Sequence, residues 1–289
     1  MKKRWRTPAR LSFLAVGMSV LLFVCAVSAV LIFEFPSVIG AERLLPIYSV
    51  ERDDKKIAVS FDAAWGNEHT KAILDSLDAY HVKATFFLVN FWAEKFPEDV
   101  KEIAARGHEV ENHSATHPDL ASLSADQIKK ELNTAGNTIE KLCGKRPDLI
   151  RPPFGSYNNT VIEAAEQEGY RVIQWDVDSL DWKTLSTEQI VERVTRNVKP
   201  GSIVLFHNNA EHVEEYLPVI LEKLQSSGYE IVPVGELIYR ESYHMDHTGR
   251  QIPEESGSAQ EDGAAGEAQS GENGAAGNVK SGEDASAQQ

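Results

Sequence analysis

The chain of 289 residues is 42% hydrophobic and 25% charged, which is enough apolar material for a sizeable core and excludes disorder throughout. Its formal net charge of -15 comes with no basic stripe or arginine-rich helix, so phosphate-backbone recognition is excluded and no nucleic acid is expected as a partner. Only two cysteines occur, Cys25 and Cys143, with no CxxC spacing, leaving neither a disulfide framework nor a thiolate metal site.

Residues 1–10 hold five basic side chains, and residues 11–33 follow with 23 positions free of charge. As a helix that run would extend about 34 Å, enough to span a hydrocarbon core of roughly 30 Å. The apolar region of a cleavable signal is shorter, typically about 7–15 residues, so an uncleaved transmembrane helix is the reading. The positive-inside bias then places residues 1–10 in the cytoplasm and everything after the span outside, at the cell membrane. Cys25 lies within the span behind Val24, a poor match to a lipidation site, and is expected to sit in lipid. Residues 34–54 read as a linker.

Between residues 55 and 240 short apolar runs alternate with longer amphipathic ones, the rhythm of parallel strands joined by helices. Strands are expected at 57–61, 84–89, 108–111, 149–151, 172–177, 203–207 and 230–234, seven in all. Helices are expected at 68–79, 92–105, 124–142, 158–167, 187–197 and 213–226. Ser124 ahead of Asp126 and Gln127 is a start signal, and Gly107, Gly169 and Gly228 stand where a helix gives way to a strand. Residues 241–289 form a C-terminal extension. From about residue 253 it consists almost wholly of Gly, Ala, Ser, Glu and Gln, with Gly-Ala-Ala-Gly at both 263–266 and 274–277. Such a segment buries too little to offset the entropy of ordering, so a disordered acidic tail is expected.

Asp62, His113, Arg151, Asp178 and His207 each stand at or just after an expected strand. In a parallel barrel those ends converge on one face, whereas a doubly wound sheet would spread them along a crevice and would usually carry a glycine-rich phosphate turn, which this chain lacks. The expectation is therefore an α/β fold, a distorted parallel (β/α) barrel of about seven strands preceded by one transmembrane helix. His113 and His117 are four apart on a loop between Asn112 and Pro118, a spacing that lets two imidazoles face one cation. Asp62 at the end of an apolar run is a candidate general base, though any single strand-end Asp fits a helix N-cap as well. Arg151, stiffened by Pro152 and Pro153, can pair bidentately with a buried carboxylate. His207 beside a carboxylate can be held protonated and serve as an acid.

These segments, His113-Ser-Ala-Thr-His117, Arg151-Pro-Pro-Phe154, Asp178-Ser-Leu-Asp-Trp182 and Leu205-Phe-His207, resemble in order four of the five motifs of the NodB-homology polysaccharide deacetylases, carbohydrate esterase family four. The resemblance covers residues 55–239 and implies a distorted barrel that removes acetyl groups from glycans with a divalent metal, usually zinc. It implies that Asp62 is the base, Arg151 its partner, His207 the acid and Asp178 the group orienting that acid. It further implies that His113 and His117 bind the metal, and that Phe154, Trp182 and Leu205 contact substrate, the Phe154 backbone N–H as oxyanion donor. The first motif departs from the pattern, because Ala63 replaces the second of two usual aspartates, a metal ligand. A methyl cannot coordinate zinc, so the two histidines need water, substrate or another carboxylate such as Glu68 to complete the shell. Ser60-Phe-Asp-Ala-Ala-Trp-Gly66 is also similar to the PdaB-like branch of spore-forming bacteria, which implies a membrane-anchored, sporulation-linked hydrolase acting on N-acetyl groups of cell-wall peptidoglycan. A catalytically impaired glycan- or partner-binding barrel is the alternative that Ala63 opens.

Overall fold

The structure, a computed structural model, describes residues 42–254. The expected transmembrane helix at 11–33, the cytoplasmic segment and the acidic tail beyond residue 254 lie outside the described residues, among which no helix is long and apolar enough to cross a membrane.

Strand β2 (Lys56–Ala63) is the spine. Its odd positions, Ile57, Val59, Phe61 and Ala63, pack with helix side chains in the larger core, while Ala58 packs in a second cluster with Phe87, Leu149 and Ile203. Ser60 and Asp62 alternate onto the same inner face as Ala58, since successive strand side chains point to opposite sides. A buried polar column therefore rises through the barrel toward the carboxyl ends of its strands.

Around β2 stand β3 (Thr85–Leu88), β4 (Glu109–Asn112), β5 (Leu149–Ile150) and β6 (Arg171–Val172) on one side, and β8 (Ile203–His207) and β7 (Val177–Asp178) on the other. All pair in parallel, and β9 (Glu230–Val232) adds to β2 as an eighth strand. The single strand expected at 172–177 is thus two, and the reason is the seam. β6 and β7 are the opposite ends of the sheet, and residues 173–176 carry the chain across the gap between them. The gap is strapped by the residues before β2, where Ile47 bridges Ile173 and Ser49 bridges Ser202. The result is a distorted barrel whose ladder does not close.

Helices α1 (Thr70–Ala79), α4 (Ala125–Cys143), α5 (Asn159–Gln167), α6 (Thr187–Asn197) and α7 (Val213–Ser226) cover the sheet much as expected. The helix expected at 92–105 is two, α2 (Asn90–Lys95) and α3 (Pro97–Ala105), because Pro97 has no N–H to continue the first. Full capping boxes, Ser124 with Gln127 and Ser186 with Gln189, start α4 and α6. From residue 42 the segment read as linker belongs to the fold: β1 (Ser49–Val50) pairs with β11 (Arg250–Pro253), which pairs with β10 (Tyr243–Met245). Asp246 closes that hairpin by accepting from Thr248 N, Thr248 Oγ1 and Arg250 N.

Candidate active site

Five strand ends meet over a cavity of about 530 Å³. Eight of the nine site residues selected from the sequence line it: Asp62, His113, His117, Phe154, Asp178, Trp182, Leu205 and His207. The ninth, Arg151, is wholly buried and lies behind the lining.

Arg151 donates from Nη1 to Asp62 Oδ1 at 2.8 Å and from Nη2 to Ser60 Oγ at 2.9 Å, and its guanidinium lies 4.2 Å from the centre of the Phe87 ring. Burial pushes the Asp62 carboxyl up, but the charges of Arg151, His113 and His207 and the Arg151 hydrogen bond outweigh it, and Asp62 titrates below the ordinary carboxylate range. A buried carboxylate is thereby kept ionised at the cavity wall, as a base requires. Ser60 completes this arrangement, and its only mark in the sequence is its even spacing from Asp62 along β2.

The His113–His117 loop is held from two directions. Glu131 on α4 accepts from Ala115 N and Thr116 N at 2.9 and 2.8 Å, and Ser114 Oγ accepts from His117 N at 3.0 Å. His113 Nδ1 lies 2.6 Å from the Arg151 carbonyl oxygen, which can only accept, so the proton is on Nδ1 and Nε2 is left bare, 3.6 Å from Asp62 Oδ2. Burial depresses both imidazoles, His117 to about 4, so both are neutral at pH 7. Among the described residues, four of the seven non-glycine residues with positive φ, Ser114, His117, Phe154 and Leu180, stand in the loops of this site. Each costs about 1–2 kcal/mol, and strain of this kind collects at functional sites.

The acid end corrects one assignment. Asp181, not Asp178, holds His207: Asp181 Oδ1 lies 2.8 Å from His207 Nδ1, and Asp181 Oδ2 accepts from the His207 backbone N–H at 2.9 Å and from Tyr216 Oη at 3.0 Å. Asp178 lines the cavity but spends Oδ1 on Leu180 N. Position decides, since Asp178 is still on β7 whereas the chain must turn through Leu180 before a carboxylate can point back under His207. Burial lowers the His207 pKa, but the hydrogen bond and charge of Asp181, with the charges of Asp62 and Asp178, reverse this and raise it. Tyr216, on α7, carried no sequence signal beyond an apolar helix position.

The metal expectation meets an incomplete donor set. His113 and His117 present bare imidazoles with ring centres 5.0 Å apart, but no group of three His, Cys, Asp or Glu side chains suited to a metal exists among the described residues. Ala63 is buried in the helix-side core, and the suggested substitute, Glu68, does not line the cavity. The residues present do not form a three-ligand zinc site.

The polysaccharide deacetylase family model matches residues 49–173. A peptidoglycan-N-acetylglucosamine deacetylase of Bacillus cereus is 34% identical over 195 residues, covering 66% of this chain and 71% of the relative. Among solved structures the chain is similar to wild-type BA3943 from Bacillus anthracis, described as a CE4 family pseudoenzyme, at 35% identity and TM-score 0.64 over 66% of this chain and 68% of that one. A BA3943 mutant described as having restored enzymatic activity matches at 36% identity and TM-score 0.65, over 66% and 70% of the two chains. Five strand ends that bring a paired Asp62 and Arg151 opposite a histidine held by Asp181 are thus the site of a known family, and the chain belongs to the polysaccharide deacetylases.

Proposed function

We propose that this chain hydrolyses N-acetyl groups of cell-wall peptidoglycan. The observation that carries this reading is the placing of Asp62, paired with Arg151, and His207, held by Asp181, on one cavity, a base and an acid whose surroundings shift the first pKa down and the second up. Asp62 takes a proton from the attacking water as its oxygen bonds to the acetyl carbon. The Phe154 backbone N–H is assigned to the oxygen that gains charge. His207 then gives its proton to the departing amine, the C–N bond breaks, and acetate leaves. Zinc, implied by the family resemblance, would have only the imidazoles of His113 and His117 as protein ligands among the described residues, and no step is assigned to it.

The basic start and uncharged run at 11–33 support a membrane anchor with the barrel on the outer side, where peptidoglycan lies. The link to sporulation rests on the resemblance of the first motif. The test is acetate release from purified peptidoglycan by the full chain, with zinc, cobalt or manganese added. Release should fall at least 100-fold in Asp62→Asn and in His207→Ala, and undiminished release in either would refute that residue's role as base or acid.

A second reading has its own support. Ala63 leaves the donor set short, and a structural neighbour of 35% identity is described as a pseudoenzyme. In that case the barrel binds glycan without turning it over, the parent chain releases no acetate with any metal, and Ala63→Asp gains the activity.

A further inference from the structure

Five large hydrophobic side chains are exposed among the described residues; three of them, Trp65, Phe154 and Trp182, line one cavity, and a fourth, Phe91, adjoins Trp65. Phe154 and Trp182 occupy family-motif positions, but Trp65 follows the departure in the first motif and has no part in the Asp62, Arg151 and His207 network. It is 56% exposed, and its ring centre lies 6.3 Å from that of Phe91, itself 37% exposed, and 4.9 Å from that of His117. The ring is carried on a fixed turn: the Gly66 carbonyl accepts from Trp92 Nε1 at 2.5 Å and from Asn208 Nδ2 at 2.9 Å. Gly66 has φ +62°, a conformation that side-chain-bearing residues rarely adopt, so the turn favours glycine. An indole held this firmly with more than half its surface in water is a preorganised contact surface.

We infer that Trp65 and Phe91 form a ledge on which a neutral pyranose ring stacks beside the one in the cavity, giving this barrel an additional sugar subsite. Flat aromatic faces carry negative charge density and suit the C–H bonds on the face of a pyranose, while the hydroxyl edges need polar neighbours. The cavity wall beside Trp65 supplies these in His117 and Asn209. No Lys or Arg lines that wall, so a phosphate or carboxylate ligand would find no counter-charge, and acidic Asp62 and Asp178 would repel it. An apolar protein partner would strand the same polar groups unpaired. The ledge deepens the proposed glycan function and depends on it for the ligand class, but not for any step of catalysis.

The test is titration of the full chain with tetra-N-acetylchitotetraose, following tryptophan fluorescence and calorimetry, with the thermal midpoint of each variant as a folding control. Trp65→Ala should weaken binding at least 10-fold, Trp65→Phe should keep it within about 3-fold, and Asp62→Asn should still bind. The disaccharide should be far less sensitive to Trp65→Ala, because it need not reach the ledge. Equal affinity of Trp65→Ala and parent for the tetrasaccharide overturns the ledge, while acetate release by the parent would leave the proposed function standing. The ledge is likewise overturned if the parent ignores the sugar and self-associates through Trp65, since its occupant is then a second copy of the chain. Binding without acetate release would leave the ledge in place and refute the hydrolase.

Discussion

Three donors converge on the Asp181 carboxylate, and this makes the histidine above it an acid. In Asp181→Asn the charge that offsets burial is gone, so the His207 pKa should drop below its ordinary value and acetate release should fall about 10³–10⁴-fold. Asp178→Asn should cost less than about 10-fold, and NMR titration of His207 separates the two. Arg151 is fully buried against Asp62, and removing one member of such a pair leaves a buried charge unmatched. Arg151→Met should therefore destabilise by about 3–5 kcal/mol in urea unfolding, and adding Asp62→Leu should recover much of that. Ala63 lies in an apolar layer, so Ala63→Asp should lower the midpoint of metal-free protein, by burying a charge, and raise zinc affinity at least ~10-fold, or about 1.4 kcal/mol. Chelator competition measures the second effect, and added zinc should restore the midpoint because the ion binds only the folded chain.

At the scale of elements the vulnerable feature is the seam between β6 and β7. Gly201 has φ +80°, donates to the Lys56 carbonyl, accepts from Val50 N, and sits so close to the strap that a Cβ would come within 1.7 Å of Val50 O. Gly201→Ala must push the strap off the barrel edge and should cost at least about 2 kcal/mol in thermal unfolding. Gly144 is the contrast, with φ +73° at the end of α4 and nothing within 4 Å of a Cβ, so Gly144→Ala should cost only about 1 kcal/mol. Most of these elements are legible from apolar runs and caps: Ser124 announces its helix, and the apolar run at 57–61 identifies β2. The strap is not, because Ile47 to Val50 is too short to show a period, and its pairing partners lie more than 120 residues away.

For the whole molecule, buried histidines set the response to acid. His108 and His117 titrate at about 4 in the folded chain and His113 is also lowered, all through burial, whereas each would titrate near 6.5 when unfolded. As pH falls from 6.5 toward 4 the unfolded chain takes up protons the folded chain refuses, so stability is lost across that window. His207 has the opposite sign: its raised pKa contributes stability below 6.5 that is lost as pH rises through its folded value. Glu111 and Asp176, raised by burial, also gain stability as pH falls, so the histidine effect is read by difference: His108→Asn should lose less stability than the parent between pH 7 and pH 5 in urea unfolding. Strand period and motif spacing are local properties of the chain, and they carry the βα order, the placing of Asp62, His113, His117, Arg151, Asp178 and His207 at strand ends, and the missing carboxylate at Ala63. It took the folded chain to bring Asp181 rather than Asp178 to His207, to set Tyr216 beneath it from α7, to hold Arg151 by Ser60 and the histidine loop by Glu131, and to place Phe91 beside Trp65. Each of those contacts joins residues brought together by packing, through directions of side chains that no spacing along the chain encodes.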